Sequence, residues 1–163
     1  MPEADVRRKR RSVEAEVDFE YTAGELPQLD NHESFELLQS WGEHVVAKDR
    51  PGVVDHYAWK GTLWPTLSNV LRQDPDEIED YFVLFLGKIN GKDDVIWNEK
   101  VAQPVSEDAV MWSGIYTFGL NDGPVKARFS YLVRKVDGYT MVQKSITFLA
   151  NEKKESPFRT MYF

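Results

Sequence analysis

The side chains able to do chemistry are few, and the fold must explain each before function can claim it. Asp74, Asp76, Glu77, Glu79 and Asp80 form the densest acidic cluster, and general acid/base catalysis needs a carboxylate or histidine held in a pocket. These five sit in the first turns of an expected helix, where capping and the helix dipole already account for them. His56 follows Asp55, but adjacent helical residues do not face one another. It reads as a surface histidine rather than an Asp-oriented base. Lys144 lies on the same strand face as Val142 and Ile146, so it points toward the interior or snorkels past its rim. The five tryptophans, with Tyr81, Tyr116 and Tyr131, supply aromatic area for a core or a pocket. Most are assigned to packing, leaving Trp64, Tyr116, Tyr131 and Lys144 as pocket candidates and no catalytic set.

Cysteine is absent and histidine occurs only at positions 32, 44 and 56. Disulfides and thiolate metal sites are thereby excluded, and a catalytic zinc site is not expected. There is no glycine-rich phosphate loop and no Ser/His/Asp arrangement, so the expectation is no metal and no cofactor.

The elements that position these residues come in a clear order. With 163 residues the chain has room for one domain. Residues 1–30 read as an arm, within which Val13, Val17, Phe19 and Tyr21 belong to an alternating apolar and acidic stretch suited to a strand docked on a sheet edge. Residues 31–150 form the domain, and residues 151–163 a tail, charged first and aromatic last. From Asp30 the spacing turns helical, with Phe35, Leu38, Trp41, Val45 and Val46 on one stripe, Asp30 or Asn31 as cap and an end near Lys48. Pro51 begins a short helical turn, and Thr62 to Leu67 reads as a strand. Asp74, Pro75 and Glu77 then write a capping box, opening a helix from Pro75 to about Ile89 that buries Ile78, Tyr81, Phe82, Phe85 and Leu86. Four strands follow, at about 95–105, 109–120, 125–136 and 139–149. Asn121-Asp-Gly123 and Val136-Asp-Gly138 mark hairpins between the last three. The order gives an α+β domain with helices first and a curved antiparallel sheet after them.

Charge bounds the partners. Five basic residues, Arg7 to Arg11, stand against Glu3 and Asp5 near the start, so the body is more acidic than the net −7. Such a body repels a phosphate backbone, and nucleic-acid binding is not expected. No apolar run approaches the ~18 residues of a membrane span. The expected location is cytoplasmic, or nuclear if the cluster at 7–11 acts as a signal.

Both faces of the expected sheet carry apolar groups. Val110, Trp112, Tyr116, Phe118 and Leu120 alternate with Met111, Ile115 and Thr117, while Tyr139 and Met141 oppose Val142 and Ile146. Helices can cover one face, and an uncovered apolar face of that size marks an interface. Met111, Ile115, Tyr139 and Met141 are the candidate self-association residues.

The segment LWPTLSNVLRQDPDEIEDYF, the strand Tyr116-Thr-Phe118, Ala127-Arg-Phe-Ser-Tyr131 and the closing Arg134-Lys-Val-Asp-Gly-Tyr139 resemble the nuclear-transport-factor-2-like superfamily. Within it, the similarity is to the association (hub) domain of calcium/calmodulin-dependent protein kinase II and to SnoaL-like proteins, over roughly residues 33–148. The resemblance implies a cone, a strongly curved sheet wrapping a long N-terminal helix and two shorter ones. It also implies one of two functions: a hub that dimerises through the sheet and closes into a ring, or an isomerase- or cyclase-type enzyme or small-molecule binder using the pocket. Related proteins end with a histidine-rich run, whereas Tyr139 to Thr147 contains none. Hub domains of the animal kinase place arginines in the pocket, where Tyr131 and Ile146 stand here. The expectation is a homo-oligomeric association domain without catalysis, with a small anionic or apolar pocket ligand as the other reading.

Overall fold

The computed structural model describes residues 26–65 and 68–148. The arm residues Val13, Val17, Phe19 and Tyr21 and the tail at 151–163 lie outside the described residues. Among the described residues, three helices, α1 (Phe35–Val46), α2 (Arg50–Val54) and α3 (Pro75–Leu86), accompany five strands: β1 (Tyr57–Trp64), β2 (Ile96–Ser106), β3 (Ala109–Leu120), β4 (Gly123–Lys135) and β5 (Tyr139–Phe148). The strands form one curved sheet in the order β1-β5-β4-β3-β2. No helix among the described residues is long and apolar enough to cross a membrane.

β2 to β5 pair antiparallel in sequence, as hairpin logic requires, and Asp137 and Gly138 both take positive φ, the backbone of the tight turn their dipeptide signals. β1 departs from the expectation in two ways. It begins at Tyr57 rather than Thr62, and it joins the sheet parallel to β5. The sheet is therefore mixed, because the chain reaches the β5 edge only after crossing through α3 and the whole β2–β4 meander.

α1 buries Leu38, Trp41 and Val45, residues three and four apart on one face. Its cap is Ser34 rather than Asp30 or Asn31, since Leu29 is already tied to β2 by two backbone hydrogen bonds of 2.9 Å with Ala102. The Ser34 hydroxyl does no capping: it accepts from Trp112 Nε1 at 2.8 Å in the core. α3 starts as written in the sequence. The Asp74 carboxylate accepts from Glu77 N at 2.9 Å, and Glu77 reaches back one residue further than a standard capping box, to Gln73 N at 2.6 Å. α3 stops at Leu86, short of Ile89, whose backbone forms a bridge to Leu120.

Packing between helices and the concave side of the sheet is largely aromatic. Trp41 meets Tyr116, Phe118 and Tyr131 with ring centres 6.0–6.2 Å apart, and Phe82 at 6.4 Å. Such ring pairs add roughly 0.5–1.5 kcal/mol each beyond the area they remove from water.

Candidate functional site

The amine of Lys144 is fully buried. β5 carries it inward opposite Tyr131 of β4, with Ile146 inward two residues on. Its orientation depends on a β-bulge. Leu132 pairs with Gln143 but Val133 pairs with Met141, so Val142 is an extra residue and the alternation changes face there. The bulge corrects one expectation outright: Met141, expected on the outer face as a self-association residue, is fully buried in the core.

Lys144 has no solvent exposure. Its Nζ donates to Tyr131 Oη at 2.6 Å and stands 3.2 Å from the centre of the Trp41 ring, 4.4 Å from Tyr131 and 5.2 Å from Tyr116. A charged amine gains about 2 kcal/mol from a desolvated aromatic face. Removing an ammonium from water costs several kcal/mol, and no carboxylate here repays it. Desolvation wins, and burial pushes the Lys144 pKa well below the lysine range. Burial therefore biases the amine in the cage toward its neutral form.

The surrounding polar atoms are under-used. Trp41 Nε1, Tyr57 Oη and Tyr116 Oη are buried without a well-formed hydrogen bond, their nearest polar neighbours being one another and Tyr131. Burial raises the pKa of Tyr57, Tyr116 and Tyr131 well above the phenol range, so all three remain neutral O–H groups. The concave side thus gathers an amine, three phenols and an indole N–H from five elements. Arg72, the other buried basic side chain among the described residues, is held by Ser68 Oγ at 3.3 Å and Asp80 at 3.4 Å.

Of the pocket candidates, Tyr116, Tyr131 and Lys144 come together. Trp64 does not join them: it sits at the end of β1, 48 % exposed, where strand alternation turns it outward. Sequence reasoning left Trp41 with the packing residues and placed Tyr57 in the helical turn after Pro51, whereas it opens β1. The available signal was the helical stripe that aims Trp41 at the sheet. No group of three or more histidine or acidic side chains able to hold a metal is present among the described residues.

On the convex side, Met111 and Ile115 project outward from β3 and are half-buried. Tyr139 is also partly exposed, but its hydroxyl donates to Glu33 at 2.8 Å, tying β5 to the entry of α1.

A cone of this topology, with helices against the concave side of a curved five-stranded sheet, is the NTF2-like, cystatin-like fold. A candidate calcium/calmodulin-dependent protein kinase II association domain from Xanthomonas campestris is similar at 28% identity and TM-score 0.66, covering 73% of this chain and 87% of that one. A ketosteroid isomerase-like protein from Erwinia carotovora atroseptica shares the fold at 14% identity and TM-score 0.62, over 72% and 94% of the two chains. A cystatin-like protein of unknown function from Nostoc punctiforme does so at 14% and 0.63, over 72% and 89%. No protein-family model and no curated protein matches the sequence.

Proposed function

We propose that this chain is an association domain that pairs with a second copy through the convex face of its sheet and assembles such pairs into a ring-like higher oligomer. The observation that carries the reading is the outward row across the four strands β2 to β5. Met111 lies opposite Leu132 on one side and Gln103 on the other, and Ser113 lies opposite Ser130, which lies opposite Ser145. Val101, Ile115 and Leu132 are half-buried beside them. Small serines flanked by medium apolar side chains give a flat floor on which an identical sheet can settle, about 10 Å away face to face. The similarity to a candidate association domain supports the same reading. Light scattering at micromolar concentration tests it. A multiple of 18.9 kDa is expected, falling to the single-chain mass in a Met111→Glu, Leu132→Glu double variant. A wild-type particle of single-chain mass would refute it.

The under-used polar atoms around Lys144 favour a second reading: the cone holds a small molecule with one acidic group and an apolar body. Such a ligand arrives as a carboxylate at neutral pH, so the proton that turns Lys144 into its counterion is taken from the buffer and binding would take up a proton. Calorimetry with short-chain carboxylates in buffers of different ionisation enthalpy measures this uptake. Observed heats that do not vary with the ionisation enthalpy of the buffer, or binding unchanged in Lys144→Met, would remove the reading.

A further inference from the structure

The corner between α1 and α2 brings together Ser40, His44, Asp49 and His56, none of which serves the cone or the convex face. Ser40 precedes the buried Trp41 by one residue, so its side chain leaves the helix about 100° away from the core. His44 Nδ1 donates to the Ser40 carbonyl at 2.7 Å, and His56 Nδ1 donates to the Gly52 carbonyl at 2.6 Å. A carbonyl can only accept, so the neutral His56 ring carries its proton on Nδ1 and keeps a lone pair at Nε2. The Nε2 of His56 lies 2.9 Å from Ser40 Oγ. The serine hydroxyl therefore donates to an imidazole whose far side is fixed by a third group, the wiring of an activated nucleophile with a backbone carbonyl as the orienting partner.

The corner is tightly built. The His56 carbonyl accepts from Met141 N at 2.9 Å and Thr140 Oγ1 at 3.3 Å, which anchors residue 56 to β5. The two imidazoles sit edge to face, 5.0 Å apart. A Cβ at position 52 would meet the His44 ring and the Asp49 carboxylate, so both side chains pack directly over Gly52. Burial lowers the His56 pKa below the usual histidine value, which keeps the ring neutral and able to accept a proton. Ser40 and His56 are both partly exposed, so a reagent can reach them.

We propose that Ser40 is a primed nucleophile that accepts an acyl group from an activated ester, with His56 as its base. Ser40 Oγ bonds to the ester carbonyl carbon while its proton passes to His56 Nε2. The bond from that carbon to the leaving oxygen then breaks, and the departing aryloxide takes the proton as a phenol. The pair supplies a nucleophile and a base, so the matching donors are those whose leaving groups depart unaided: aryl esters and, as a probe, a fluorophosphonate that loses fluoride.

The full chain is treated with p-nitrophenyl acetate and, separately, with an alkyl fluorophosphonate, and its peptides are mapped by mass. The expected result is one acetyl or phosphonyl group on the peptide containing Ser40 and none at that position in Ser40→Ala. His56→Gln should slow the labelling of Ser40 at least about 100-fold. Absence of label from Ser40 in the wild type overturns the proposal, whether or not the variants fold. Labelling of His56→Gln at the wild-type rate overturns the role of the base.

Discussion

Replacing Lys144 by methionine should stabilise the protein and change how its stability depends on pH. An unfolded lysine titrates near 10.4, while burial holds the folded Lys144 well below that range with no carboxylate to oppose the shift. Between the two values the unfolded chain binds a proton that the folded chain has released. Unfolding then takes up a proton, so stability rises with pH through this window and levels off above the unfolded value, where both states are neutral. The slope is about 1.4 kcal/mol per pH unit for one group. Methionine fills nearly the same unbranched volume and has nothing to ionise, at the cost of one hydrogen bond to Tyr131, about 1 kcal/mol. Urea unfolding of wild type and Lys144→Met at matched pH isolates this group, since every other titration cancels in the difference. The methionine variant should be the more stable at neutral pH, and its advantage should shrink as pH rises toward the unfolded lysine value, by up to about 1.4 kcal/mol per pH unit. A difference that does not vary with pH, or a variant less stable than wild type at neutral pH, would mean that the aromatic cage holds a charged ammonium.

Other perturbations test the frame around that amine. Asp74→Ala removes the acceptor for Glu77 N and should cost about 1 kcal/mol of stability in thermal or urea unfolding; no loss would show that the cap is redundant. Gly114→Ala places a Cβ against the Glu99 carbonyl and 2.7 Å from the Phe129 ring, so β2 must shift, at about 1–3 kcal/mol by urea unfolding. Tyr139→Phe removes the hydroxyl that, ahead of Lys135, holds the Glu33 carboxyl below its usual value. The Glu33 pKa followed by carbon-detected NMR should rise toward the ordinary value. The stability that this carboxylate adds above the ordinary value, lost in wild type as pH falls through the depressed one, should shrink with it.

What the sequence discloses about this fold follows the range of the interaction that decides each feature. Asp74, Pro75 and Glu77 declare the start of α3 because a cap is settled within four residues. Asp137-Gly138 declares its hairpin because the turn needs positive φ at both positions. Period-two alternation is equally local, which is why Trp112, Tyr116, Phe129 and Tyr131 are recognisable as one inward face. The parallel seat of β1 beside β5 is different, because it is decided between residues some eighty positions apart. The partnership of Ser40 with His56 is hidden for the same reason: it spans sixteen positions and a corner between two helices, with the serine on one and the histidine beyond the other.

The Val142 bulge stands between these cases and sets the character of the site. No glycine or proline announces it, since the extra residue is a valine that strands accept readily. Yet without it Met141 and Lys144, three positions apart, would point to opposite faces. With it both turn inward, and the amine arrives against Trp41 and Tyr131. The same slip takes Met141 away from the convex face. That leaves Met111, Ile115, Val101 and Leu132, all on the β2–β4 side, to form any apolar contact with a second copy. A single inserted residue in β5 therefore shapes both surfaces at once, lining the concave side with a buried amine and shifting the apolar part of the convex side toward the strands that the meander pairs most extensively.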